Sequence, residues 1–214
     1  MRIIEPSYEI LTEISEGGIK ELQHIEKIAR VCYKSESLIT EDGESAKKMV
    51  KMLIDRDHTA MIEHSSLSVK FVVDRGVSHE LVRHRIASFA QESTRYCNYS
   101  KDKFDNGITF IKPFFFKDGT TEYEEWECAM NNAEQSYLFL INKCGSTPQE
   151  ARSVLPNSTK TEITITANYR EWRNFFKLRT AKAAHPQMVQ VTRPLLKELK
   201  TRLPIIFDDI ELEE

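Results

Sequence analysis

Apolar positions recur at helical spacing in two stretches near the start of the chain. In GIKELQHIEKIARVCY, residues 18 to 33, Leu22, Ile25, Ile28, Ala29 and Cys32 fall on one face. In ESAKKMVKMLIDR, residues 44 to 56, Ala46, Met49, Val50, Leu53 and Ile54 do the same. The pattern predicts two amphipathic helices. The period then drops to two: in SSLSVKFVV, residues 65 to 73, Leu67, Val69, Phe71 and Val73 alternate with mostly polar neighbours, as in a strand. Asp74, Arg75 and Gly76 read as a turn. VSHELVRHRIA, residues 77 to 87, reads as a helix that places His79 with Arg83, and Glu80 with His84, on shared faces. An irregular aromatic segment containing FIKPFFF, residues 110 to 116, precedes a long helix over 121 to 143, stopped by Cys144 and Gly145. PQEARSVLP, residues 148 to 156, is a short helix bounded by prolines. In TKTEITITAN, residues 159 to 168, Thr161, Ile163, Ile165 and Ala167 face one way and Glu162, Thr164, Thr166 and Asn168 the other, a strand with one polar side suited to a ligand. YREWRNFFKLRT (169 to 180) and PQMVQVTRPLLKELKTRL (186 to 203) return to helical spacing, the second bent or interrupted at Pro194. The sum is an α+β fold with helices in the majority.

Composition narrows this. With 214 residues and 40% apolar content, one compact domain over residues 1 to 214 is expected. Thirty Lys and Arg against 33 Asp and Glu give a net charge of -3, which argues against chain-wide attraction to nucleic acid or to an anionic membrane. Any basic site must be local. Cys32, Cys97, Cys128 and Cys144 are scattered without a C-x-x-C pair, so reduced thiols are expected and no disulfide framework or zinc knuckle. The six histidines form no ligand cluster, and no metal is expected. His24 reads as a surface histidine, and the charges scattered through 197 to 214 as solvated. MRIIEPSYEI is not a targeting leader, and no window approaches the roughly 20 apolar residues of a membrane span, so a cytoplasmic protein is expected.

The candidate chemistry lies in RHRIASFAQESTRY, residues 83 to 96. Seven glycines form neither G-x-G-x-x-G nor a phosphate loop, so phosphates bound here must be held by side chains. Arginine suits that task, since its planar fork donates two hydrogen bonds at once to a phosphate or carboxylate. Arg83, Arg85 and Arg95 are close in sequence, with Arg152 and Arg179 further on. The hydroxyls of Ser88 and Ser93 can complete phosphate coordination, and Gln91 can read the amide edge of a pyrimidine or flavin. Ser93 has no apparent histidine base and is assigned to binding instead of nucleophilic attack. Taken alone, these residues also suit a solvated charged surface, a nucleic-acid-binding surface or a non-catalytic nucleotide sensor.

Spacing goes further. R-H-R, seven residues, a serine and then, two positions on, Arg95-Tyr96 resembles the signature of the flavin-dependent thymidylate synthases. HTAMIEH (58 to 64) is similar to that family's flavin-contacting segment, ARSVLP (151 to 156) to its ARxVLP, and NYREWRNFFKLRT (168 to 180) to its N-x-R-x-x-x-N-F-x-x-L-R. IARVCYKS (28 to 35) resembles a helix end near the flavin, so the likeness spans about residues 28 to 195. It departs at Phe89-Ala90-Gln91, where many relatives read x-N-E, at Glu80, where a glutamine often meets dUMP, and before His185, where two residues are added. A related pyrimidine reaction such as hydroxymethylation therefore stays open.

The resemblance implies the family's α+β fold, helices packed around an antiparallel or mixed sheet. It implies reductive methylation of dUMP to dTMP, with methylenetetrahydrofolate as one-carbon donor, FAD reduced by NADPH, and no protein cysteine nucleophile. FAD would be held by His58, Ala60, Arg83, His84, Arg85, Gln91, Asn168, Arg170 and Asn174. The dUMP would be held by Glu80, Arg83, Gln91, Ser93, Arg95, Arg152 and Arg179, of which Arg179 is catalytic. A homotetramer with shared active sites is also implied. The FIKPFFF aromatics would stack on the pterin of the folate or serve a core or subunit contact.

Overall fold

The computed structural model describes residues 1–212, so the last two residues of the charged stretch 197 to 214 lie outside it. The first two helices are α1 (Ile19–Tyr33) and α2 (Glu44–Asp55), where the apolar spacing placed them. Their starts need glycine. Gly18 has φ +68° and lies so close to Leu203 that a Cβ would come within 2.6 Å of its side chain, and Gly43, at φ +77°, would bring one within 2.3 Å of Ile19. Glu26, fully buried on α1, accepts from Arg30 at 2.7 Å and from Ser45 of α2 at 2.9 Å, which ties the two helices together.

The short strands β1 (Arg2–Ile4) and β2 (Ser7–Ile10) precede α1, and β3 (Ser66–Asp74) has the predicted alternation of buried and part-exposed residues. At 74 to 76 the expected turn is instead a helix start. The Asp74 carboxylate accepts the Val77 N–H at 2.8 Å, and α3 (Arg75–Leu81) begins at once. The helix expected to reach 87 stops at Leu81, and β4 (Ala87–Gln91) follows. The shared helical faces expected for His79 with Arg83 and Glu80 with His84 therefore do not exist. Sheet pairing and burial of His84 outweigh the helical spacing of this segment.

Strand β5 (Thr109–Ile111) pairs in parallel with β1, Arg2 opposite Thr109 and Ile4 opposite Ile111. Helix α4 (Thr121–Asn142) and α5 (Pro148–Ala151), the latter extended by a 3-10 turn over Arg152–Val154, match expectation. Strand β6 (Lys160–Asn168) buries Thr161, Ile163, Ile165 and Ala167, as its alternation required, and the four-stranded sheet runs β2-β3-β6-β4. Asn168 caps α6 (Tyr169–Arg179). Helix α7 (Pro186–Arg202) continues past Pro194 without the expected interruption, because the buried Val191, Leu195, Leu196 and Leu199 hold it on both sides of the ring. A final turn, α8 (Pro204–Phe207), follows.

The described chain forms two compact units. The first comprises Met1–Ser7, Phe71–Arg83 and Phe89–Thr164, with a core of Tyr99, Ile108, Phe110, Trp126, Met130, Tyr137 and Ala151. The second comprises Tyr8–Lys70, His84–Ser88 and the chain from Ile165 onward. Its core centres on Trp172, whose ring stacks on Phe176 at 5.7 Å and whose indole N–H donates to the Leu67 carbonyl at 2.9 Å. The charged C-terminal stretch is not wholly solvated. Asp209 receives two hydrogen bonds from the buried Arg173, and this contact holds its carboxyl below the ordinary range.

Candidate active site

In the first unit, the loop after β4 carries the end of the arginine motif. The Ser93 hydroxyl accepts the Arg95 backbone N–H at 3.3 Å, and the Ser93 carbonyl accepts from Tyr96 and Cys97, so the loop folds tightly around the serine. Two arginines then cross-link this loop to α5 and its extension. Arg95 Nε donates to the Gln149 amide oxygen at 2.9 Å, and Arg152 approaches the Thr94 hydroxyl at 3.5 Å. Both guanidiniums are exposed and, among the described residues, hydrogen-bond to neutral side chains. Unspent positive charge beside a hydroxyl suits an anion.

Glu92 would oppose that anion, being adjacent to Ser93. It is paired from the β6 side: Lys160 Nζ, shared between two carboxylates, lies 2.9 Å from Glu92 and 2.7 Å from Glu162, and the Tyr99 hydroxyl donates to Glu92 at 2.7 Å. Burial, then Glu92, pushes the Tyr99 phenol well above its ordinary pKa, so it remains a donor. The amide nitrogen of Gln91 is turned inward, donating to Ser78 at 2.9 Å and Thr161 at 3.2 Å. Arg83 is exposed, and its backbone N–H bonds the Glu80 carbonyl at 3.2 Å. Burial, then Glu92, also raises the Cys97 pKa, which keeps it a thiol near neutrality.

In the second unit, α6 and its capping residue contribute four residues to a cleft. This cleft, of about 410 Å³, is lined by Glu63, Ile86, Asn168, Arg170, Glu171 and Asn174. Asn168 places its side-chain oxygen on the Glu171 backbone N–H at 2.8 Å, so its first task is to cap the helix. Arg170 pairs with Glu63 at 2.5 Å. Asn174 reaches back to the Glu171 carboxylate at 3.3 Å. His58 and Ala60 are exposed at the start of a 3-10 turn over Thr59–His64, and His58 Nδ1 lies 3.5 Å from the Tyr33 hydroxyl at the end of α1. Arg85 is exposed. His185 caps α7 through its ring, contacting the Gln187 N–H at 3.3 Å.

His84 differs from its neighbours in the motif. Only 6% exposed, it sets Nδ1 3.0 Å from Glu171 and receives Arg179 Nε on Nε2 at 2.9 Å. Burial holds its pKa below the ordinary histidine value; the Glu171 hydrogen bond opposes this and the Arg179 charge adds to it. Glu171 and Lys160 were not singled out from sequence. For Glu171 one signal existed, its place three residues after a capping asparagine; for Lys160 there was none beyond the strand pattern.

A family description, "Thymidylate synthase complementing protein", matches residues 19–205. A flavin-dependent thymidylate synthase from Corynebacterium aurimucosum is 30% identical over 209 residues, 94% of this chain and 84% of that protein. One from Pyrococcus furiosus is 32% identical over 157 residues, 73% of this chain and 63% of its own. Among solved structures, a UMP/dUMP methylase from Streptomyces cacaoi bound with 5-Br dUMP superposes with a TM-score of 0.77 at 23% identity, covering 97% of this chain and 96% of that one. The chain belongs to the flavin-dependent thymidylate synthase family, and the α+β fold expected from its pattern is the fold it has. No helix among the described residues is long and apolar enough to cross a membrane.

Proposed function

We propose that this protein makes dTMP by reductive methylation of dUMP, taking the one-carbon unit from methylenetetrahydrofolate and electrons from NADPH through FAD. The observation that carries this reading is the pair Arg95 and Arg152, each bonded among the described residues to a neutral side chain, Gln149 and Thr94, with the nearby Glu92 paired to Lys160, which it shares with Glu162. That is a phosphate site built of side chains. Ser93, Arg95 and Arg152 hold the dUMP phosphate, while Glu80, Arg83 and Gln91 are assigned to the nucleotide by resemblance.

The residues around the second unit's cleft suit a flavin nucleotide. Arg170 spends one N–H on Glu63 and retains others for a phosphate, Asn174 and the nitrogen of Asn168 offer amides, and Ile86, 69% exposed, offers an apolar surface to a ring. His58, Ala60, Arg83, His84, Arg85 and Gln91 complete the set by resemblance. When bound, FAD supplies the reducing equivalents. Arg179 acts on the pyrimidine: its guanidinium at a carbonyl edge stabilises negative charge on the ring as carbon 5 becomes nucleophilic. No cysteine attacks the ring, and Cys97 stays a neutral thiol.

The assembly is a homotetramer with active sites completed across subunits, working in the cytoplasm. Ile86 and Leu178 in the second unit, 69% and 54% exposed, and Tyr96 in the first, 77% exposed, each next to a motif arginine in sequence, support apolar contacts with a partner subunit. Both compact units act as one domain over residues 1 to 214, supported by a family match that runs through segments of each. Binding to FAD-loaded protein tests the phosphate site. We expect dUMP to bind at least about tenfold more tightly than deoxyuridine, a difference of about 1.4 kcal/mol that Arg152→Ala largely removes. Equal affinity for the two ligands would overturn the assignment.

A further inference from the structure

Glu171 has no role in the reading above, yet it is 8% exposed and its carboxylate is aimed at an equally buried imidazole. We propose that Glu171 is a positioning residue for Arg179: by accepting Nδ1–H of His84 it fixes the neutral tautomer whose Nε2 lone pair receives the Arg179 Nε–H, and so sets the direction of the guanidinium. This rests on the reading of Arg179 as the group at the pyrimidine edge.

The hydrogen-bond roles follow from the donors available. A guanidinium has no acceptor and stays protonated, so at the 2.9 Å contact Arg179 Nε must donate and His84 Nε2 must carry the lone pair. The one proton of a neutral imidazole then sits on Nδ1, 3.0 Å from Glu171 Oε1, where a carboxylate can only accept. Either change of state breaks the chain. The other tautomer, or the imidazolium, sets Nε2–H against Nε–H.

The supports are themselves held. Asn168 fixes the Glu171 backbone as the helix cap, and Asn174 sits 3.3 Å from its carboxylate. The edge of Phe175 packs on the His84 ring at 4.9 Å. Glu171 and Arg179 lie on one helix eight residues apart, about 12 Å along its axis. The His84 imidazole contacts both of them. Arginine is a long side chain with several rotatable bonds, and pinning Nε removes most of that freedom before substrate arrives.

The test combines spectroscopy with kinetics on the FAD-loaded protein. With 15N-labelled histidine rings and His84→Gln for assignment, the parent at neutral pH should give His84 a protonated Nδ1 and an unprotonated Nε2. Glu171→Leu should lower kcat at least about tenfold while KM for dUMP changes less than threefold, since the loss falls on transition-state stabilisation. Glu171→Gln, whose amide oxygen still accepts from Nδ1–H, should recover most of the rate. An Nε2–H tautomer or an imidazolium in the parent overturns the proposal, and so does Glu171→Leu with kcat within twofold of the parent or with its loss confined to KM. If Glu171→Leu does not fold, the parent's tautomer decides. If Arg179→Ala still forms dTMP, the proposal falls with the Arg179 reading, and an unchanged Nδ1–H tautomer identifies that cause.

Discussion

At the scale of single residues, the buried histidine of the arginine motif makes stability depend on pH in a definite direction. The folded pKa of His84 is depressed below the ordinary value of about 6.5 by burial first. Above pH 6.5 the ring is neutral in both folded and unfolded chains and contributes no slope. As pH falls below 6.5 the unfolded chain takes up a proton that the folded one refuses, and stability is lost down to the depressed folded value. Chemical denaturation at stepped pH should show this loss begin near pH 6.5, and His84→Gln should lack that component. Lys160 gives a second prediction. Removing it in Lys160→Ala leaves the Glu92 carboxylate, 11% exposed, without its cation and next to Ser93. Titration calorimetry should find dUMP affinity lowered about tenfold, the effect of an unmatched acid beside a phosphate. The arginines, Ser93 and the α6 asparagines could be proposed from the sequence because their spacing is linear. Glu171 and Lys160 were not, since one acts on a residue 87 positions away and the other on one 68 positions away.

At the scale of elements, amphipathic spacing located α1, α2, α4, α6 and α7 and both long strands to within a few residues. It failed around residues 74 to 91, where two local signals misled. Asp-Arg-Gly has turn chemistry, but Asp74 uses its carboxylate as a helix cap instead. The segment after Leu81 keeps helical spacing of charges, yet its structure is set by sheet pairing and by the burial of His84. Strands of three or four residues near the N-terminus carry too few positions for a period to register. The cap is testable: Asp74→Ala should cost about 1 kcal/mol of unfolding free energy by urea titration, as for other caps. A change under a few tenths of a kcal/mol would mean that the Val77 contact does not hold α3.

At the scale of the whole molecule, a net charge of -3 means that any basic site must be local, and within the first unit Arg95 and Arg152 are two exposed arginines that both bond to residues flanking or facing the Ser93 loop. Family membership was legible in five ordered segments. The exposure of Ile86 and Tyr96 was not, because it becomes visible only once the chain is folded. The central claim is that these side chains, without a cysteine nucleophile, turn dUMP into dTMP. The most direct measurement is anaerobic turnover of FAD-loaded protein with NADPH, methylenetetrahydrofolate and dUMP, the pyrimidine product identified by mass, run beside Arg179→Ala. The account predicts dTMP, one methylene heavier than dUMP, from the parent and none from the variant. NADPH consumption with no methylated product, or a hydroxymethylated pyrimidine in its place, would contradict it.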